Sequence, residues 1–246
     1  MSPVQRFTAR VKHFKQLTHD VRQIDLELMD PGEIWFKAGQ FVSFDVTDAR
    51  TGRLVTRPYS IASSPGSPHL ISLLLNLVPG GPGSTYLFGL REGDTTTFAG
   101  PAGNFYLRDD PARELLFVAT GTGIAPIRSM LLANAERPHH LRAVLFWGLR
   151  SQRDLYYQDE LVELRKGCQG FSFLATLSKP EPGWVGVTGR VTQLVRQHVA
   201  DVSRLAVYLC GNSGMIKEVT GILQTKGLCP IFREKYYDDV EGDYGD

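Results

Sequence analysis

The chain has 246 residues, a formal net charge of +1 and 42% hydrophobic residues, enough to bury two cores of modest size rather than one. A nearly neutral balance, with no basic stripe carrying interleaved aromatics, excludes nucleic acid as a partner class. No stretch approaches the roughly 18 uninterrupted apolar residues that span a bilayer, and the opening MSPVQRFTARVKHF lacks the apolar run of a secretion signal, so no membrane span and a cytoplasmic location are expected.

In chain order, the first hundred or so residues alternate short β-rich runs with turn residues: FTARVKHF (7–14), VRQIDLEL (21–28), QFVSFDV (40–46), LVTRPYSIAS (54–63), HLISLLLNLV (69–78) and TTTFAGPAG (95–103). Such spacing predicts an antiparallel β-barrel or sandwich. The polar, Pro-containing break Asp109-Asp110-Pro111 marks a change of rhythm. Beyond it, the apolar runs LLFVA (115–119), RAVLFWG (142–148), FSFLAT (171–176) and RLAVYLC (204–210) alternate with helical patterns near 125–135, 154–166, 190–199 and 213–226. Near-continuous apolar strands separated by helices predict an α/β doubly wound parallel sheet. The expected division is a β-barrel domain over 1–110, an α/β domain over 111–236 and an acidic tail, 237–246, with too few apolar residues for a packed element.

Chemistry-bearing motifs fall at the ends of these runs. Arg57, Tyr59 and Ser60 place a cation, an aromatic and a hydroxyl on one strand, which also reads as an ordinary pleated face. Pro79 to Thr85 is a Gly/Pro run opening the short helical segment TYLFGL; it is either a bare loop or a backbone-amide site for phosphate. Directly after LLFVA come Thr120-Gly121-Thr122-Gly123-Ile124-Ala125-Pro126, where a glycine turn between strand and helix lets amides approach a pyrophosphate. Pro126 suits a first helical turn but occupies the third-glycine place of G-x-G-x-x-G, so the ordinary dinucleotide fingerprint fails and a ligand-free turn stays open. RLAVYLC ends in Cys210-Gly211, putting a thiol and a second glycine turn at the same sheet edge, although a buried cysteine is commonly just a small hydrophobe. Cys168, Cys210 and Cys229 are widely spaced with no C-x-x-C pair, so neither a disulfide framework nor a metal site is expected. Three cysteines are also too few for a four-thiolate iron–sulfur cluster.

The ordered set Arg57-Pro58-Tyr59-Ser60, Gly83-Ser84-Thr85, Gly100-Pro101-Ala102-Gly103-Asn104-Phe105, Gly121-Thr122-Gly123-Ile124-Ala125-Pro126, Cys210-Gly211 and Glu234 resembles the ferredoxin–NADP reductase family over nearly the whole chain. The resemblance implies an FAD-binding barrel followed by an NAD(P)-binding α/β domain. It implies that Tyr59 stacks on the isoalloxazine, that Arg57 meets the FAD pyrophosphate, and that Ser84 with the amides of Gly83 and Thr85 holds that pyrophosphate. Ser60 is placed beside flavin N5, and Pro58 and Asn76 join the cofactor-binding set. Gly121, Thr122 and Gly123 are implied to cradle the NAD(P) pyrophosphate and Cys210 to pack against the nicotinamide, with Thr120, Pro126 and Gly211 also among the cofactor-binding residues. Glu234 matches a carboxylate near the flavin; Ser60, Cys210 and Glu234 are the candidate catalytic set. Tyr236 stands where an aromatic covers the flavin in the plant-type branch, but ten residues follow it here. Arg150 with Ser151 and Arg153, and Ser178 with Lys179, offer cations and hydroxyls for a 2′-phosphate, favouring NADP(H) over NAD(H).

The resulting expectation is an FAD-dependent reductase exchanging a hydride with NAD(P)H and electrons with a separate carrier, ferredoxin or flavodoxin. The reductase component of a multicomponent oxygenase is the alternative within enzymes. A non-catalytic flavin-binding interaction subunit is the alternative from another class.

Overall fold

A computed structural model describes residues 5–135 and 142–237. Among these residues it contains twelve strands and five helices, and the chain divides into two compact units.

The first unit is an antiparallel sheet of β1 (Gln5–Gln16), β2 (Val21–Asp30), β3 (Phe41–Thr47), β4 (Leu54–Ser60), β5 (Leu70–Asn76) and β6 (Thr95–Ala102), ordered β4-β3-β6-β1-β2-β5. Strand alternation builds it: Phe7, Ala9 and Val11 of β1 are buried while Arg6 and Arg10 are exposed, which is the period-two pattern of a sheet with one wet face. Phe7 stacks on Phe98 at 5.4 Å and Phe44 lies 5.6 Å from Phe98, forming the aromatic centre of the core. Just past β4, Ile61 bridges Leu73 of β5, joining the two edge strands so that the sheet closes as a barrel. Helix α1 (Pro82–Gly89) lies between β5 and β6 in sequence.

The second unit is a parallel sheet ordered β10-β9-β8-β7-β11-β12, from β7 (Glu114–Thr120), β8 (Ala143–Leu149), β9 (Phe171–Leu177), β10 (Val187–Thr188), β11 (Leu205–Asn212) and β12 (Ile231–Tyr237). Helices α4 (Val191–His198) and α5 (Ser213–Gln224) bury Leu194, Val195, Val219 and Leu223 against Val118, Val207 and Leu209 of the strands. Helix α3 (Gln158–Gly167) connects β8 to β9. From β7 the order runs through β8 and β9 one way and through β11 and β12 the other, so it reverses between β7 and β11. Ligands of open α/β sheets sit at the carboxyl ends flanking such a reversal.

Two features depart from the sequence expectation. Strand β12, over IFREKYY, was not anticipated, because its charged and aromatic residues do not form the apolar run of a central strand; as an edge strand it needs only one neighbour. Helix α2 (Ile124–Ala135) begins after the glycine turn, yet residues 125–135 cluster with the first unit, whereas the expected division kept everything from 111 onward together. The acidic tail beyond Tyr237 lies outside the described residues.

Candidate functional site

In the first unit, the edge strand β4 tolerates Pro58, whose missing N–H costs no ladder bond on its outer side. Arg57 and Pro58 are exposed, Tyr59 is half-buried with its ring edge-on to Phe44 at 5.9 Å, and Ser60 is buried. Among the described residues the Arg57 guanidinium makes one hydrogen bond, from Nη1 to the Thr56 carbonyl at 3.0 Å, and no ion pair. Helix α1 starts beside this strand. A Cβ on Gly83 would fall 2.5 Å from Tyr59 Oη and 2.9 Å from Arg57 Cβ, so only glycine lets the helix start approach these side chains.

The first turn of α1 has no acidic residue and no capping side chain. Pro82 has no N–H, and the Thr85 N–H already donates to the Gly81 carbonyl at 3.0 Å, so the Gly83 and Ser84 amides are the ones without helical partners. The Ser84 hydroxyl is turned inward: it accepts from the Val78 N–H at 3.1 Å and lies within donating distance of the Val78 and Gly81 carbonyls. Of the expected trio of Gly83, Ser84 and Thr85, the first two have amides without a helical partner, while the Ser84 hydroxyl and Thr85 amide hold the loop and helix together. Asn76, at the end of β5, has a buried Oδ1 with no partner among the described residues, an acceptor that awaits a donor.

In the second unit, Thr120 to Gly123 and Cys210-Gly211 lie at the carboxyl ends of the neighbouring strands β7 and β11. They are locked together. The Asn212 N–H donates to Thr120 Oγ1 at 3.0 Å, and the Asn212 side chain caps α5 by accepting from the Met215 N–H at 3.1 Å. Gly211, at φ +134°, occupies a conformation that L-residues rarely adopt, and a Cβ there would strike Thr120 Oγ1. A Cβ on Gly123 would strike the Cys210 carbonyl. The Trp147 indole N–H donates to the Gly121 carbonyl at 3.0 Å, fixing the turn from below. Gly121 itself has open space where a Cβ would stand, and Pro126 is buried in the first turn of α2.

Cys210 is fully buried, and Glu234 of β12 is its register partner. Glu234 Oε2 is buried without a hydrogen-bond partner among the described residues, and burial pushes the carboxyl up to about 7. Tyr236 belongs to β12 by its backbone; its side chain lies outside what is described.

The loops after β8 and β9 are held side by side by hydrogen bonds from the Ser178 N–H to the Leu149 carbonyl (3.0 Å) and the Lys179 N–H to the Arg150 carbonyl (2.7 Å). Arg150, Ser178 and Lys179 are therefore adjacent and exposed. Arg153 is not available in the same way, since it pairs with Glu181 at 2.9 Å, and the Ser151 hydroxyl is bonded to Asp154. Trp147 and Glu181, and the capping role of Asn212, were not read from sequence. An N-cap asparagine before an amphipathic run was legible; the Trp147 and Glu181 contacts join residues too distant in sequence for any local signal.

Residues 8–106 match the oxidoreductase FAD-binding domain and residues 117–221 the oxidoreductase NAD-binding domain. The chain is 33% identical to a ferredoxin–NADP reductase B of Sorangium cellulosum, over 89% of this chain and 91% of that protein. It is 32% identical to the reductase component of a propane 2-monooxygenase of Mycolicibacterium goodii, over 92% of this chain and 66% of that protein. A Rhodococcus jostii homologue of the latter is covered to 64%, so the chain spans about two thirds of the length of these relatives. The structure of an Amycolatopsis cytochrome P450 reductase, GcoB, superposes with a TM-score of 0.85 at 27% identity, covering 96% of this chain and 71% of that one. No helix among the described residues is long and apolar enough to cross a membrane. With a barrel matched to FAD, a parallel sheet matched to NAD, and a relative aligned over nine tenths of its own length, the chain belongs to the ferredoxin–NADP reductase family of FAD- and NAD(P)-binding oxidoreductases.

Proposed function

We propose that this protein takes a hydride from NAD(P)H on to FAD and delivers the electrons singly to a separate carrier. The observation that carries the reading is the close approach of the start of α1 to Arg57 and Tyr59, which brings the exposed Arg57 side chain and the Gly83 and Ser84 amides, free of helical partners, to one place on the first unit beside the Tyr59 ring. A planar cation, two amides at a helix start and an aromatic face fit a pyrophosphate joined to a flat ring system. The orphaned Asn76 Oδ1 and the close approach at Gly83 fit the same group.

In this reading Arg57 and the two amides bind the pyrophosphate of FAD, Tyr59 offers its face to the isoalloxazine, and Ser60 presents a hydroxyl to the reacting edge. Bound FAD supplies the exchange between two-electron and one-electron transfer. The turn Gly121–Gly123 holds the NAD(P) pyrophosphate, buried Cys210 sets the wall for the nicotinamide, and Glu234, neutral below about pH 7, is a proton-carrying group beside that wall. Arg150, Ser178 and Lys179 form the 2′-phosphate contact, favouring NADPH, with Arg153 withdrawn by Glu181. Three free cysteines suit a reducing compartment, hence the cytoplasm.

The carrier is ferredoxin or flavodoxin in the first reading. A second reading, the reductase component of a multicomponent oxygenase, is favoured by the relatives' own identities as reductase components of propane, phenol and terephthalate oxygenases. An anaerobic acceptor screen separates them. Protein reduced by NADPH is mixed with ferredoxin, flavodoxin or an oxygenase partner; the expected result is two one-electron carriers reduced per NADPH consumed. Absence of transfer to every one-electron carrier would leave only the non-catalytic flavin-binding alternative.

A further inference from the structure

Helix α2 makes two hydrogen bonds that neither the nucleotide turn nor the barrel core requires. The Ser129 hydroxyl donates to the Ser63 carbonyl at 2.6 Å, and Arg128 Nη1 donates to the Ala62 carbonyl at 2.8 Å. Ser129 is wholly buried, where a hydroxyl without a partner would be costly, so its bond is a fixed element of the packing. The receiving carbonyls lie two and three residues beyond Ser60. The donors of the same short segment point to the barrel instead: the Ile61 N–H to the Gln40 carbonyl at 2.9 Å and the Ala62 N–H to the Ser72 carbonyl at 2.8 Å. The Ser63 hydroxyl is also taken, accepting from the Ser72 N–H at 3.1 Å.

The chain leaving Ser60 is thus gripped on its donor side by Gln40, just before β3, and Ser72 of β5, and on its acceptor side by α2. A third contact seats the helix: a Cβ on Gly39, one residue before Gln40, would strike the Met130 methyl and the Phe105 carbonyl. The helix cannot shift without disturbing the segment that ends the Arg57–Ser60 strand. Its own first residue, Ile124, follows Gly123 of the nucleotide turn by a single peptide bond.

We propose that Ser129 and Arg128 are positioning residues: by holding the Ala62 and Ser63 carbonyls they fix the Tyr59–Ser60 wall in its reactive setting and carry nucleotide binding at Gly121–Gly123 to it. This rests on the assignment of Tyr59 and Ser60 to the flavin. Energetic coupling can travel through packed and hydrogen-bonded groups on a rigid element, and one helix with two side-chain hydrogen bonds is such a connection.

The test uses the FAD-loaded full chain under anaerobic conditions and reads the limiting rate of flavin bleaching, the half-saturating NADPH concentration, and the flavin difference spectrum on adding unreactive NADP+. Ser129→Ala is expected to slow the limiting rate about five-fold, a hydrogen bond's worth, with the half-saturating concentration changed by less than about two-fold and the difference spectrum diminished. Arg128→Met should do the same and Arg128→Lys should restore most of the rate; being half-buried, these changes keep the test open if Ser129→Ala folds poorly. Wild-type limiting rates and difference spectra in both Ser129→Ala and Arg128→Met overturn the inference. Ser60→Ala, run alongside, separates the two claims. If it slows bleaching and the α2 variants do not, the α2 inference alone falls; if it bleaches at the wild-type rate, the flavin assignment falls and the inference with it.

Discussion

Each of the two units carries a proposed phosphate site at a helix start, but the two are built differently. On the barrel, the amides of Gly83 and Ser84 stand next to the stem of Arg57, whose guanidinium is exposed, and the turn is braced by the Ser84 hydroxyl. On the parallel sheet, Thr120 to Gly123 supplies amides with no cation in the turn, and its rigidity comes from Trp147 and Thr120. A charge-assisted fork added to amides strengthens binding well beyond what amides alone give. The contrast suits a prosthetic group retained through many turnovers on one side and a substrate that must leave after each on the other.

The largest expected effect that sharpens this contrast concerns Glu234, on the sheet side. Its carboxyl is raised from 4.5 to about 7 by burial, so the folded protein binds the proton more tightly than the unfolded chain. Stability from this group is therefore intact below about pH 4.5, falls as pH rises toward 7, and is lower by on the order of 3 kcal/mol above it. Glu234→Gln should remove that slope, seen as denaturant midpoints at pH 5 and 8 that converge relative to wild type; an unchanged slope would contradict the buried, unpaired carboxyl.

Next in size is Arg57→Ala, which deletes the barrel's cation. Loss of a charged hydrogen-bonding partner is worth about 2 kcal/mol, so FAD affinity should drop roughly thirty-fold while NADP+ affinity holds. FAD content after gel filtration measures it, and full retention would erase the distinction between the two phosphate sites. Lys179→Ala should weaken NADPH about ten-fold and NADH hardly at all, read from the half-saturating concentrations of the two. Equal losses for both would remove the 2′-phosphate from the Arg150–Lys179 pair. The smallest effect on ligand binding is expected of Trp147→Phe, which drops one hydrogen bond to Gly121 and leaves a void at a fully buried side chain; it should lower stability by about 2 kcal/mol and slightly loosen nucleotide but not FAD binding, measured by denaturation and titration.

The same contrast governs what the sequence disclosed. Barrel strands such as β1 write their burial as alternation, and β7 and β11 write theirs as unbroken apolar runs, so both classes of sheet were readable locally. Strand β12 was not, since Ile231, Arg233 and Lys235 on an edge give neither pattern cleanly. Helix α2 was located correctly, but Ile124-Ala125-Pro126-Ile127 and Met130-Leu131-Leu132 are apolar nearly all round, and such a helix carries no stripe to say which unit it packs on. In the site, glycines at forced turns stood out because nothing else fits them. The inward Ser84 hydroxyl and the Glu181 clasp on Arg153 did not, because a side chain's choice among partners is settled by tertiary placement.

The proposed retention of FAD with turnover of NAD(P)H is tested most directly by anaerobic single-turnover mixing of the purified protein with NADPH. The expected result is a yellow protein carrying one FAD per chain whose colour bleaches within seconds, with one NADPH oxidised per flavin. A protein that purifies colourless and takes up no FAD, or that holds FAD which NADPH and NADH both fail to bleach, would contradict the reductase assignment.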